Sequence, residues 1–179
     1  MSHIEKLPVD VQTKLISVPY RIGIWISNVD DVEARKADDK REQKVLELAI
    51  TKMATAHRKM PFAAAVMQKV EASKGHWQSW EGQADESSVL GDLEHVIQSC
   101  EQHLKPAAVK QYKQAVWQTA ILVAQAFNED YDPDGEMLVN HFAEWIGSIF
   151  TAPKLKKAPE NMSAKEKTAL KKLRAVLKQ

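Results

Sequence analysis

Apolar residues recur at three- and four-residue spacing through most of the chain, and no credible strand pattern interrupts them. That period lines apolar side chains along one face of a helix, and such faces are buried by packing helix on helix. Composition agrees. Gly and Pro number only 6 and 7, while Ala, Leu, Lys, Glu and Gln abound, and straight side chains lose little rotamer freedom in a helix. At 179 residues the chain can bury a self-supporting core. The expectation is an all-α fold, a single compact bundle of about seven to eight helices.

The order of elements follows from breaks in the pattern. Leu7-Pro8-Val9-Asp10 opens a short helix carrying Val11, Leu15 and Ile16, and Pro19 stands where a second helix can begin. Ile22, Ile24, Trp25, Ile26 and Val29 cover most of that second helix's circumference, which implies burial on nearly all sides. Asn28 to Asp39 reads as an acidic loop and Asp39 to Arg58 as an amphipathic helix. Pro61 starts a helix with Phe62, Val66, Met67 and Val70, and Gly75 to Asp85 is turn-rich. Ser87 or Ser88 caps the next helix, and Lys105-Pro106 separates it from a long one reaching about Asn128. Met137 to Phe150 follows as a further helix. Residues 1–150 thus form an acidic helical bundle, 151–162 a linker, and 163–179 a basic helix docked on the bundle as part of one domain. Ser163 and Glu166 match a capping box ahead of Leu170, Leu173, Val176 and Leu177. A faint internal echo sets Ile22–Ala54 against Trp117–Phe150, each an apolar helix, an acidic loop and an amphipathic helix.

The net charge of +1 conceals an asymmetry: nine basic and two acidic residues lie from Lys154 onward, leaving 16 basic and 22 acidic before it. A basic helix docking on an acidic body accounts for this, and so does a tail that meets a partner. Without interleaved aromatics or a reader motif, specific nucleic-acid binding is not expected, whereas peripheral membrane contact stays open. The single Cys100 cannot form an internal disulfide, which suits a reducing compartment. No segment reads as a signal peptide or offers the ~20 predominantly apolar residues of a spanning helix. A cytoplasmic protein is the expectation.

The most informative stretch is Asp130-Tyr131-Asp132-Pro133-Asp134-Gly135-Glu136. Alternate aspartates followed by glycine reproduce the front half of a calcium loop, whose first, third and fifth positions supply oxygens. The back half fails, because the twelfth position is His141 where a bidentate glutamate belongs. Helix capping explains part of the same stretch: Asp132 as the cap, Pro133 at the first position, Asp134 and Glu136 near the positive end of the dipole. Capping accounts less well for Asp130.

With Ile121-Leu122-Val123-Ala124-Gln125-Ala126-Phe127 ahead of that loop, and Ser163 and Glu166 ahead of Leu170 and Leu173, the chain resembles the TerB-like family of tellurite-resistance helical domains. The resemblance implies a bundle of roughly seven helices, no enzymatic activity, and a role in a bacterial stress-response or envelope-associated assembly. It implies divalent-cation binding, with Ca²⁺ favoured and Mg²⁺ or Zn²⁺ as alternatives. It nominates Asp130, Asp134 and Glu136, joined by Asp132 from the loop spacing, and Asp30, Asp31 and Glu42 as a second cluster. The Asn128–Asp134 loop, the Val32–Asp38 stretch and the Trp77/Trp80 segment depart from the family pattern.

Other constellations are thinner. Asp92 and His95 share a helix face and could meet His141 in a transition-metal site; Cys100 with His95 or His103 could form a thiol–imidazole pair, though a buried apolar cysteine is far commoner. No phosphate loop, dinucleotide fingerprint, zinc-finger spacing or nucleophile elbow is present. A metal-free scaffold would instead meet a protein partner through Trp77 and Trp80, unless they cap the core, and through Lys171, Lys172 and Arg174.

Overall fold

The computed structural model describes residues 3–29, 36–56, 58–126 and 162–178, with the backbone alone for 36–42, 125 and 126. Among these residues the fold is all-α. It comprises α1 (Val9–Asn28), α2 (Lys36–Ala54), α3 (Pro61–Ala72), α4 (Trp77–Glu81), α5 (Glu86–His103), α6 (Pro106–Ala126) and α7 (Ala164–Lys178), with 3₁₀ turns at Ile4–Lys6 and Lys74–His76. No described helix is long and apolar enough to cross a membrane. The proposed Met137–Phe150 helix and the linker up to residue 161 lie outside the described residues.

Pro19 does not begin a helix. It sits inside the continuous α1. Lacking an N–H, it leaves the Leu15 carbonyl four residues back without its helical donor. The Tyr112 hydroxyl, on α6, donates to that carbonyl at 3.2 Å. A buried side chain from a distant helix thus supplies the bond that proline removes, and α1 continues.

Helix α1 is central. It runs antiparallel to α5: Lys14 reaches Asp92 at 3.0 Å, and further along α1 the Arg21 guanidinium reaches back to Gln83, ahead of α5. On another side, α2 closes on α1 where Gly23 faces Leu46; a Cβ at position 23 would collide with the Leu46 methyls. Helix α3 starts with Pro61 as expected, and an amide of its first turn is satisfied from α6, since the Phe62 N–H donates to Gln111 Oε1 at 2.9 Å. At the start of α5 the cap is Asp85, not Ser87 or Ser88. Its carboxylate accepts from the Ser88 amide at 3.0 Å and from the Ser87 hydroxyl at 2.7 Å.

The capping box of α7 is formed in both directions, Ser163 N to Glu166 Oε2 at 2.9 Å and Glu166 N to Ser163 Oγ at 3.0 Å. Its Ala169, Leu170, Leu173 and Leu177 are buried, and the helix packs against α5 and α6.

Candidate functional site

Three helices fix where the C-terminal ends of α1 and α6 lie. Leu15 and Tyr112, each the seventh residue of its helix, meet through their hydrogen bond. Helix α5 opposes α1, and the two-residue connection Leu104-Lys105 turns the chain back into α6. Helix α7 then links the two ends. Its first turns line an open groove of about 360 Å³ with Val29, just past α1, and Glu86 of α5, while its Leu177 lines a second groove with Leu104 and Val109. Between these, Arg174 lies over the Trp117 ring, 6.0 Å from its centroid. Helices α1 and α6 therefore run in the same sense, and their C-terminal ends, Asn28 and Ala126, share the side of the bundle where α7 begins.

Asp30 and Asp31 follow the first of those ends, and Asp130, Asp132, Asp134 and Glu136 follow the second. All six lie outside the described residues, as does His141; Glu42 falls on α2, described there by its backbone. What is described at this side is basic. Lys165 and Lys172 of α7 line the groove, and Lys172 pairs with Glu86 at 2.6 Å. Among the described residues no group of three or more His, Cys, Asp or Glu side chains is arranged to hold a metal ion.

Asp92 is committed to a structural role. Its carboxylate takes Arg21 Nη1 at 2.6 Å and Lys14 at 3.0 Å, and Arg21 Nε and Nη2 both donate to the Gln83 carbonyl. Burial works against the charged carboxylate, but the hydrogen bonds from Arg21 and Lys14 prevail and hold its carboxyl below the usual range. His95 turns instead toward Asp10, at 3.7 Å. His103 places Nδ1 2.8 Å from the Ser99 carbonyl. Cys100 is fully buried, and burial, with a smaller contribution from Glu101, pushes its thiol up to about 12. A thiolate nucleophile is not available there at neutral pH.

The tryptophan segment belongs largely to the core. Trp77 is 5% exposed, stacks on Tyr20 at 4.4 Å between ring centroids, and donates its indole N–H to the Val70 carbonyl at 3.0 Å. Trp80 is partly buried beside Tyr20, whose hydroxyl donates to Glu81 at 2.8 Å. The expectation of Trp77 as a partner-binding surface is therefore corrected, because its indole is spent on holding α4 against α1. Lys171 and Lys172 are exposed, and Arg174 is half-buried.

No family model, curated protein or solved structure matches the chain.

Arg21 was missed by pattern reasoning although a signal existed. It is the one charged side chain in the apolar run from Val18 to Ile26, and a charge in such a run is buried only with partners.

Proposed function

We propose that this chain is a non-enzymatic, TerB-like helical domain that binds a divalent cation through Asp130, Asp132, Asp134 and Glu136, with Asp30, Asp31 and Glu42 as a second set. Its setting would be a bacterial stress-response or envelope-associated assembly. The observation that carries this reading is the alternation of three aspartates ahead of Gly135, a spacing that lets hard oxygen donors converge on one ion. The course of the helices supports it, since α1 and α6 end on one side and each leads into an acidic segment. A Ca²⁺ ion takes roughly six to eight oxygens, more than the carboxylates of this loop supply at one oxygen each. Asp30 and Asp31, which follow α1 in the sequence, are a further source of carboxylates.

Calorimetric titration with Ca²⁺, Mg²⁺ and Zn²⁺ tests the reading. Binding heat on the wild type that disappears in Asp130→Ala/Asp134→Ala supports it. Absence of heat with all three ions removes it.

A metal-free scaffold is the second reading, favoured by the exposed lysines of α7. Trp77 contributes no surface to it.

A further inference from the structure

We propose that the furrow between α6 and α7 docks an acidic peptide segment of a protein partner. The inference rests on the scaffold reading above, names the partner by its charge, and does not depend on cation binding.

The two helices run antiparallel, since Arg174 lies over Trp117 while Leu177, further along α7, meets Val109, earlier in α6. Lys171, Arg174 and Lys178 are spaced by three and four residues, so they stand within about 60° of one another on the flank that Arg174 presents to α6. Lys165 and Lys172 occupy the other flank, against Val29 and Glu86. Across the furrow, Lys110, Gln114 and Trp117 share one face of α6 by the same spacing. Lys110, Lys171 and Lys178 are exposed. Neither helix neutralises them: α6 has no Asp or Glu in its 21 residues, and the Glu166 of α7 is buried in the capping box at 3% exposure. Glu101 of α5 enters at the lower end, but Lys113 holds it at 2.9 Å and cancels its charge.

The furrow selects its occupant by charge and shape. The Arg174 guanidinium is held over the Trp117 ring, and its Nε is shielded from solvent without a hydrogen-bond acceptor among the described residues. A stacked guanidinium still short of acceptors suits a carboxylate, which it can grip with two parallel N–H groups. From Lys171 to Lys178 the flank spans about 10 Å, two helical turns, which matches carboxylates three and four residues apart on a partner helix. At the lower end, Leu104, Pro106, Val109 and Leu177 line an open groove of about 530 Å³ rimmed by Lys110, a seat for an apolar side chain beside the acids. A nucleic-acid backbone has no use for that groove. Trp117, 4% exposed beneath Arg174, offers no face for a base to stack on.

The test is fluorescence anisotropy of the full chain with a labelled peptide of Leu-Glu-Glu repeats and its Leu-Gln-Gln and Ser-Glu-Glu counterparts. The first is expected to bind and to be released by salt. The second should not bind, and the third should bind about tenfold more weakly because the groove stays empty. Each exposed cation neutralised costs about three- to fivefold, so Lys171→Gln/Lys178→Gln weakens binding about tenfold with its melting curve unchanged. Arg174→Lys keeps the charge, loses the stacked fork and also binds more weakly. Lys165→Gln/Lys172→Gln, on the other flank, binds like the wild type. Equal binding of either counterpart peptide, indifference to Lys171→Gln/Lys178→Gln, or duplex DNA bound as tightly at the same salt overturns the proposal. An equal loss in Lys165→Gln/Lys172→Gln overturns the furrow and leaves the scaffold reading standing. Failure of the Leu-Glu-Glu peptide to bind at low salt removes the support of both.

Discussion

Replacing Tyr112 with phenylalanine removes the hydroxyl donor that compensates for Pro19 at the buried Leu15 carbonyl. The expected loss is about 1–3 kcal/mol. In a Pro19→Ala background the restored amide can serve Leu15 itself, so the same substitution should cost much less there. A double-mutant cycle by urea denaturation measures the difference, and additivity would refute the account. The Arg21–Asp92 pair makes a second residue-scale claim. Arg21 is 2% exposed, so Asp92→Ala strands a buried guanidinium, at about 3 kcal/mol because the Gln83 carbonyl still accepts two of its N–H groups. Its pH dependence follows from the depressed Asp92 pKa. The stabilisation is fully present above the ordinary carboxylate value of about 4 and fades as pH falls through the lower folded value. Denaturation midpoints measured below pH ~5 should therefore fall less steeply in Asp92→Asn than in the wild type.

Between elements, Gly23 governs how closely α2 approaches α1. In the wild type, Gly23→Ala should cost about 1–3 kcal/mol by forcing the buried Leu46 aside. In a Leu46→Ala background the collision is gone, and the gain in helix propensity of about 1 kcal/mol should make the same change stabilising. A melting-temperature comparison shows the sign reversal or its absence. Most helices were legible because apolar period, proline positions and caps coincide locally. The misreadings have non-local causes. Pro19 reads as a helix start only while the hydroxyl of Tyr112, 97 residues from Leu15, is out of view. Asp85, Ser87 and Ser88 are all competent caps, and in the fold Asp85 takes the role, with the Ser87 hydroxyl and the Ser88 amide both donating to its carboxylate. Trp77 sits among polar neighbours in sequence, yet folds back onto Tyr20, a contact no spacing reports.

For the whole molecule, α7 closes the bundle. Leu173 is fully buried, and Leu173→Ala should lower stability by about 2–5 kcal/mol. Deleting the chain after Phe150 should abolish cooperative melting by exposing the surfaces of α5 and α6 that α7 covers. The candidate cation site was legible as composition and spacing alone: alternate aspartates and a glycine name the chemistry but not the convergence. What the bundle adds is direction, by ending α1 and α6 on the side where α7 begins. Paramagnetic broadening by Mn²⁺, read from amide resonances, tests that claim most directly. Signals of Val29, Glu86, Ala164 and Lys165 should broaden, those of Leu104 and Val109 at the opposite side should persist, and Asp130→Ala/Asp134→Ala should abolish the effect. Broadening centred on Leu104 and Val109, or unchanged in that variant, would contradict the account.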